Sequence, residues 1–157
     1  MTARRGMVVS TDELATHVGV DVLRSGGNAV DAAIAVHFSL AVVNPEAGNI
    51  GGGGFMVARL ADGTTAALDF REKAPLAATR DMYLDADNQV TDRSVIGHLS
   101  SGVPGSVSGM WAAHQRYGSL EWSDLLEPAL ELAHGFEVRA RFIGSLTPSM
   151  ARSLSRF

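Results

Sequence analysis

The chain has 157 residues, enough for one domain with a hydrophobic core but short of two large ones. Apolar residues make up 46% and charged residues 19%, a globular balance that excludes an intrinsically disordered chain. A formal net charge of −4 lacks the basic field that draws proteins to nucleic acid or anionic membranes, and the absence of cysteine excludes disulfides and thiol nucleophiles.

Arg4 and Arg5 resemble the charged start of a secretory leader, but no apolar stretch of sufficient length follows them. The expectation is either a cytoplasmic protein or a chain that begins after a removed leader. Val8 and Val9 read as a short strand. Thr11 or Asp12 can cap a first helix, since a side-chain oxygen there accepts from the free N–H groups of the first turn. Leu14, Val18 and Val22 then repeat every four residues and define one apolar face, with Gly26 and Gly27 as a stop. Asn28 can cap a second helix to about Val43, apolar nearly all round and alanine-rich, which predicts cover on most sides. This stretch is too short to span a bilayer and contains Asp31 and His37. Pro45 ends it.

Four consecutive glycines, Gly51–Gly54, precede the segment FMVARLADGTTAALDF. Asp62-Gly63 reads as a two-residue hairpin turn, since both positions of that turn need positive φ. That turn sets a register of Ala61 with Thr64, Val57 with Leu68 and Phe55 with Phe70. Arg71 then lies opposite a bare Gly54. Pro75 breaks the strand, and Asp85-Ala86-Asp87-Asn88 reads as a surface turn. A third helix is expected from about Ser106 to Tyr117, stopped by Gly118. Ser123 can cap a fourth, with Leu125, Leu126, Leu130 and Leu132 buried, a kink near Pro128 and Gly135 as its end. Residues 139 to 157 show no clear pattern, and the chain reads as stopping mid-fold.

Few residues form a constellation that could carry chemistry. A phosphate loop places glycines between a strand and a helix N-terminus, whereas here the order is helix, glycines, strand, without a Gly-Lys-Ser/Thr. The five histidines, at 17, 37, 98, 114 and 134, show no metal-ligand spacing. Glu127 and Glu131 lie one helical turn apart and read as a solvated face. Thr2 would become N-terminal on removal of Met1 and could then act as a nucleophile, but it leads a flexible polar segment instead of a strand. Arg71 follows an apolar strand where the glycines open space, and its fork suits a carboxylate held by two parallel hydrogen bonds. A salt bridge to Glu72 or Asp69 is the competing reading, and spacing alone favours it.

The segments GMVVSTDELATHVGVDVLRSGGNAVDAAIA, GNIGGGGFMV, LDFREKAPLAATRDMYLD, GVPGSVSGMW and WSDLLEPALELAHGF, in this order and spacing from about Gly6 to Val138, resemble the γ-glutamyltranspeptidase (glutathione hydrolase) family. The glycine run with its hairpin and the DFRE-x-AP segment are the most specific parts. The resemblance implies an α+β fold, the αββα sandwich of the N-terminal-nucleophile hydrolases, with residues 1–157 an incomplete N-terminal portion of the large subunit. It implies a γ-glutamyl substrate such as glutathione, partner segments from the rest of the large subunit and from the small subunit, no cofactor and no metal. The compartment stays open, although family members are often periplasmic or extracellular. The nucleophilic threonine and the glycines of the family's oxyanion hole fall outside this sequence, so Gly51–Gly54 are not that hole. One functional residue carries over: the arginine of the DFRE motif, which binds the α-carboxylate of the γ-glutamyl group, falls on Arg71. Two alternatives remain at this level, a relative of the cephalosporin acylases and a truncated, non-catalytic interaction module.

Overall fold

The structure, a computed structural model, describes residue 3 and residues 6–138. Thr2, Arg4, Arg5 and the segment from 139 onward, on which expectations were placed above, lie outside the described residues. The elements are helices α1 (Glu13–Arg24), α2 (Ala29–Val43), α3 (Ser106–Tyr117) and α4 (Trp122–Ala133), strands β1 (Phe55–Arg59) and β2 (Thr65–Asp69), and two single 3-10 turns at Asp92–Ser94 and His98–Ser100. They fall into two compact units. One takes in the chain through Gly48 and again from Leu120, and the other is Asn49–Ser119.

The first unit is helical. Asp12 sits in extended backbone and its carboxylate accepts from the Leu14 N–H at 2.8 Å, which starts α1. Asn28 and Asp31 form a capping box at the start of α2: the Asn28 side chain accepts from the Val30 and Asp31 N–H groups, and Asp31 accepts from the Asn28 N–H at 2.9 Å. This bonding allows Asp31 to be wholly buried. As its composition predicts, α2 is covered on most sides, with Ile34 and Ala35 fully buried. Gly19 lets α1 approach closely, since a Cβ there would press on the Val36 and Val8 side chains. Ala15, Val36 and Val43 form a core cluster with Leu14, Leu40 and Leu132 packed against it.

The structure corrects three expectations in this unit. Residues 7–10 form no strand, because an isolated extended segment needs a hydrogen-bonded neighbour to become one. Helix α4 begins at Trp122 with Glu121 at the cap position, so Ser123 lies inside it. Leu130 is 56% exposed, while Leu125 and Ala129 are buried. At 100° per residue the stripe through 122, 125, 129 and 132 is the buried face, and Leu130 falls beside it. The ring of Trp122 meets Phe38 of α2 edge to face, centroids 5.6 Å apart.

The second unit is built on the hairpin β1–β2, paired antiparallel as Phe55 with Asp69, Met56 with Leu68, Val57 with Ala67, Ala58 with Ala66 and Arg59 with Thr65. This register differs by one residue from the expected one. The Leu60 carbonyl accepts from the Gly63 N–H at 3.0 Å, the Leu60 N–H donates to the Thr64 carbonyl at 2.8 Å, and of the loop residues 61–63 Gly63 alone has positive φ, +87°. The connection is therefore a three-residue loop, a type I turn followed by a left-handed glycine, and not a two-residue turn. The Asp62 carboxylate braces the loop by accepting from the Thr64 N–H at 2.8 Å, and this bond holds its carboxyl below the usual aspartate range. Met56, Ala58, Ala66 and Leu68 share the half-buried face, whereas Phe55 and Val57 lie on the exposed one. Helix α3 spans the expected residues and ends at Gly118.

Candidate functional site: the open end of the hairpin

The glycine run meets the last residues of β2 at the hairpin's open end. Gly54 exchanges backbone hydrogen bonds with Phe70, at 3.0 and 3.4 Å. Gly53, not Gly54, lies beside Arg71: a Cβ on Gly53 would come within 2.8 Å of the Arg71 Cα and the Glu72 nitrogen. None of the four glycines has positive φ, so close approach, and not turn geometry, accounts for Gly53 and Gly54. The Gly52 carbonyl accepts from both the Gly105 and Ser106 N–H groups, at 2.8 and 3.0 Å, satisfying two free donors at the start of α3. The Phe70 ring, 9% exposed, fills the notch left by the missing side chains of Gly54 and Gly109. The residue before Arg71 is thus locked by packing, and two residues after it Lys73 forms a backbone bridge with Val103, exchanging hydrogen bonds of 3.3 and 2.8 Å.

Arg71 is held on this frame at three points. Its backbone N–H donates to the Asp69 carboxylate at 3.0 Å. Its Nε donates to Glu72 Oε2 at 3.0 Å. Its guanidinium carbon stands 5.8 Å from the centroid of the Phe55 ring, within cation–π range. Of the two acids named above as competing partners, Glu72 takes the side chain and Asp69 only the backbone. No other hydrogen bond of the guanidinium falls among the described residues, and the side chain is 60% exposed. The backbone N–H of Glu72 itself, and then the Arg71 guanidinium, hold the Glu72 carboxyl below the usual glutamate range, so it is ionised at neutral pH.

Sequence reasoning missed Phe55. In the expected register it would have stood across from Phe70, with Arg71 on the opposite face. In the observed register it faces Asp69, and Arg71, two residues on, becomes its diagonal neighbour on one face. The three-residue loop was the signal that could have found it. Two clefts lie elsewhere: one of about 390 Å³ between α2 and residues 7–9, lined by Val36, His37 and Leu40 among others, and one of about 160 Å³ between the half-buried hairpin face and α3. Arg71 lines neither. Among the described residues no group of three or more histidine, aspartate or glutamate side chains could hold a metal ion, and no helix is long and apolar enough to cross a membrane.

Comparisons with known proteins identify the family. The family model described as Gamma-glutamyltranspeptidase matches residues 15–154. The chain is 58% identical over 132 residues to the glutathione hydrolase proenzyme of Pseudomonas sp. (strain A14), an alignment covering 83% of this chain and 23% of that protein. It is 53% identical over 138 residues to the glutathione hydrolase proenzyme of Escherichia coli (strain K12), covering 87% and 24%. Among solved structures, γ-glutamyltranspeptidase from Pseudomonas nitroreducens complexed with L-DON aligns with a TM-score of 0.90 at 46% identity, covering 99% of this chain and 47% of that one. Cephalosporin acylase from Bacillus halodurans aligns with a TM-score of 0.84 at 26% identity, covering 100% and 30%.

The fold is accordingly part of the α+β N-terminal-nucleophile hydrolase architecture shared by the transpeptidases and acylases. The chain belongs to the γ-glutamyltranspeptidase family. It spans about a quarter of the length of the curated relatives it matches.

Proposed function

We propose that the protein to which this chain belongs is a γ-glutamyltransferase/glutathione hydrolase, made as a proenzyme that cleaves itself into a large and a small subunit. The family match over residues 15–154, with relatives named as glutathione hydrolase proenzymes, carries this reading. This chain contributes the N-terminal part of the large subunit, and by itself it is inactive because the nucleophile lies in other segments. There, the hydroxyl of an N-terminal threonine attacks the γ-glutamyl carbonyl while its own α-amine takes the proton, and backbone N–H groups hold the oxyanion. The C–N bond breaks as that proton passes to the leaving amine, and an ester remains on the threonine. Water or the amine of an amino acid then attacks the ester, releasing glutamate or a new γ-glutamyl amide and restoring the threonine.

Arg71 is assigned to the substrate's α-carboxylate. The DFRE motif and the guanidinium's position at the glycine-flanked end of the hairpin support this assignment. Loss of one partner from a desolvated charge pair typically costs about 2–5 kcal/mol. Arg71→Ala in the full-length enzyme is therefore expected to raise KM for γ-glutamyl substrates steeply, and Arg71→Lys to restore little, because an ammonium offers no planar fork. Steady-state kinetics check this; wild-type constants in the alanine variant would refute the assignment. The acylase reading has weaker support, since its structural relative is 26% identical against 46% for the transpeptidase. Rates on γ-glutamyl and glutaryl amides, measured side by side, separate the two.

A further inference from the structure

Arg71 carries a long side chain at an exposed site, yet the structure fixes which edge of its guanidinium is already bonded. A guanidinium can grip a carboxylate through Nε and one Nη, or through the two Nη groups. Nε carries a single hydrogen, and Glu72 Oε2 takes it at 3.0 Å. The Nε-containing edge is therefore occupied, and the edge formed by the two Nη groups is the one left for a ligand. The Phe55 ring supports the guanidinium from a second side, its centroid 5.8 Å from the guanidinium carbon. Both supports are themselves anchored. Phe55 is placed by its pairing with Asp69, and Glu72 sits between the packed Phe70 and the Lys73–Val103 bridge. Gly102 lies against Glu72, where a Cβ would stand 3.0 Å from the Glu72 Cβ.

We propose that Glu72 and Phe55 are positioning residues that hold Arg71 so that its two Nη groups, and not Nε, receive the substrate's α-carboxylate. This inference rests on the assignment of Arg71 made above. Without the supports the arginine keeps its charge but samples many rotamers, so the fork is no longer set in advance. The loss then falls on substrates that carry the carboxylate.

The test compares, in the full-length enzyme, kcat/KM for a γ-glutamyl anilide with that for the analogue whose α-carboxylate is a carboxamide. Arg71→Ala is expected to collapse the preference for the carboxylate substrate; if the preference survives, the Arg71 assignment itself fails. Given that collapse, Glu72→Gln and Phe55→Leu are each expected to reduce the preference roughly tenfold to a hundredfold, the carboxylate rate falling much further than the carboxamide rate and the loss appearing mainly in KM. Asp81→Asn, which removes an acid from the exposed Arg80–Asp81 pair, serves as the control and is expected to change neither rate. The carboxamide rate reports correct folding and processing, and Glu72→Asp, whose carboxylate is one methylene short of Nε, provides a milder variant should glutamine prevent maturation. The positioning role is overturned if the supporting variants keep the wild-type preference, or if they lower both rates equally, which would mark a merely structural role.

Discussion

Within the run Gly51–Gly54, residues of one type do different work. Gly51 faces open space and its φ is not positive, so Gly51→Ala is expected to be neutral or to stabilise by about 0.4–1 kcal/mol through the unfolded chain. Gly53 packs against the backbone of Phe70–Glu72, which has no rotamer to yield, so Gly53→Ala is expected to destabilise by about 1–3 kcal/mol. Gly105, whose Cβ would overlap the Phe70 carbonyl, belongs with Gly53. Chemical denaturation of the three variants checks the order; equal midpoints for Gly51→Ala and Gly53→Ala would contradict it. The sequence shows four equivalent glycines, and only the chain lying against each one separates them.

The starts of α1 and α2 were more legible than that of α4, because a side-chain cap works over three or four residues and α4 has Glu121 at its cap position without one. Asn28 was legible as a cap and sits where the pattern put it, and of the two candidates Thr11 and Asp12 the structure takes Asp12; the Asp31 half of the capping box came only with the structure. Asn28→Ala is expected to cost about 1 kcal/mol, since it strips acceptors from two N–H groups at the head of the most buried helix. A thermal melt measures the loss, and a melting point equal to that of the parent would show that Asp31 alone carries the cap. The hairpin was legible as a hairpin but not in register. Asp-Gly fits both a two-residue turn and the end of a three-residue loop, and the choice moves every cross-strand pair by one. That slip decides whether Phe55 lies beside Arg71, so the candidate site depended on it.

Across the whole molecule, stability responds to pH through a histidine whose titration burial has shifted. His37 projects from α2 into the larger cleft, its Nε2 is buried with no hydrogen-bond partner among the described residues, and burial lowers its pKa from the ordinary value near 6.5. A histidine held neutral in the folded state adds no pH dependence above that value. As pH falls below it the unfolded chain takes up a proton that the folded one resists, so stability is fully present above about 6.5 and declines towards the lower folded pKa. Melting temperature is expected to fall between pH 7.5 and pH 5.5 (roughly the range in which histidine titrates), and His37→Leu is expected to flatten that fall. Parallel profiles for the two proteins would assign the acid sensitivity elsewhere.

Legible from the chain alone were the four helices and the hairpin in their order, the cap that starts α2, the family, and the candidacy of Arg71. These are carried by short-range spacing and by motifs whose residues stand close together in the chain. Tertiary structure decided the hairpin register, the face of α4 that is buried, which glycines are needed for close packing, and the grip of Glu72 and Phe55 on the arginine. Each of these depends on which surfaces meet after the chain has folded, and a local pattern that fits two such meetings equally well cannot choose between them.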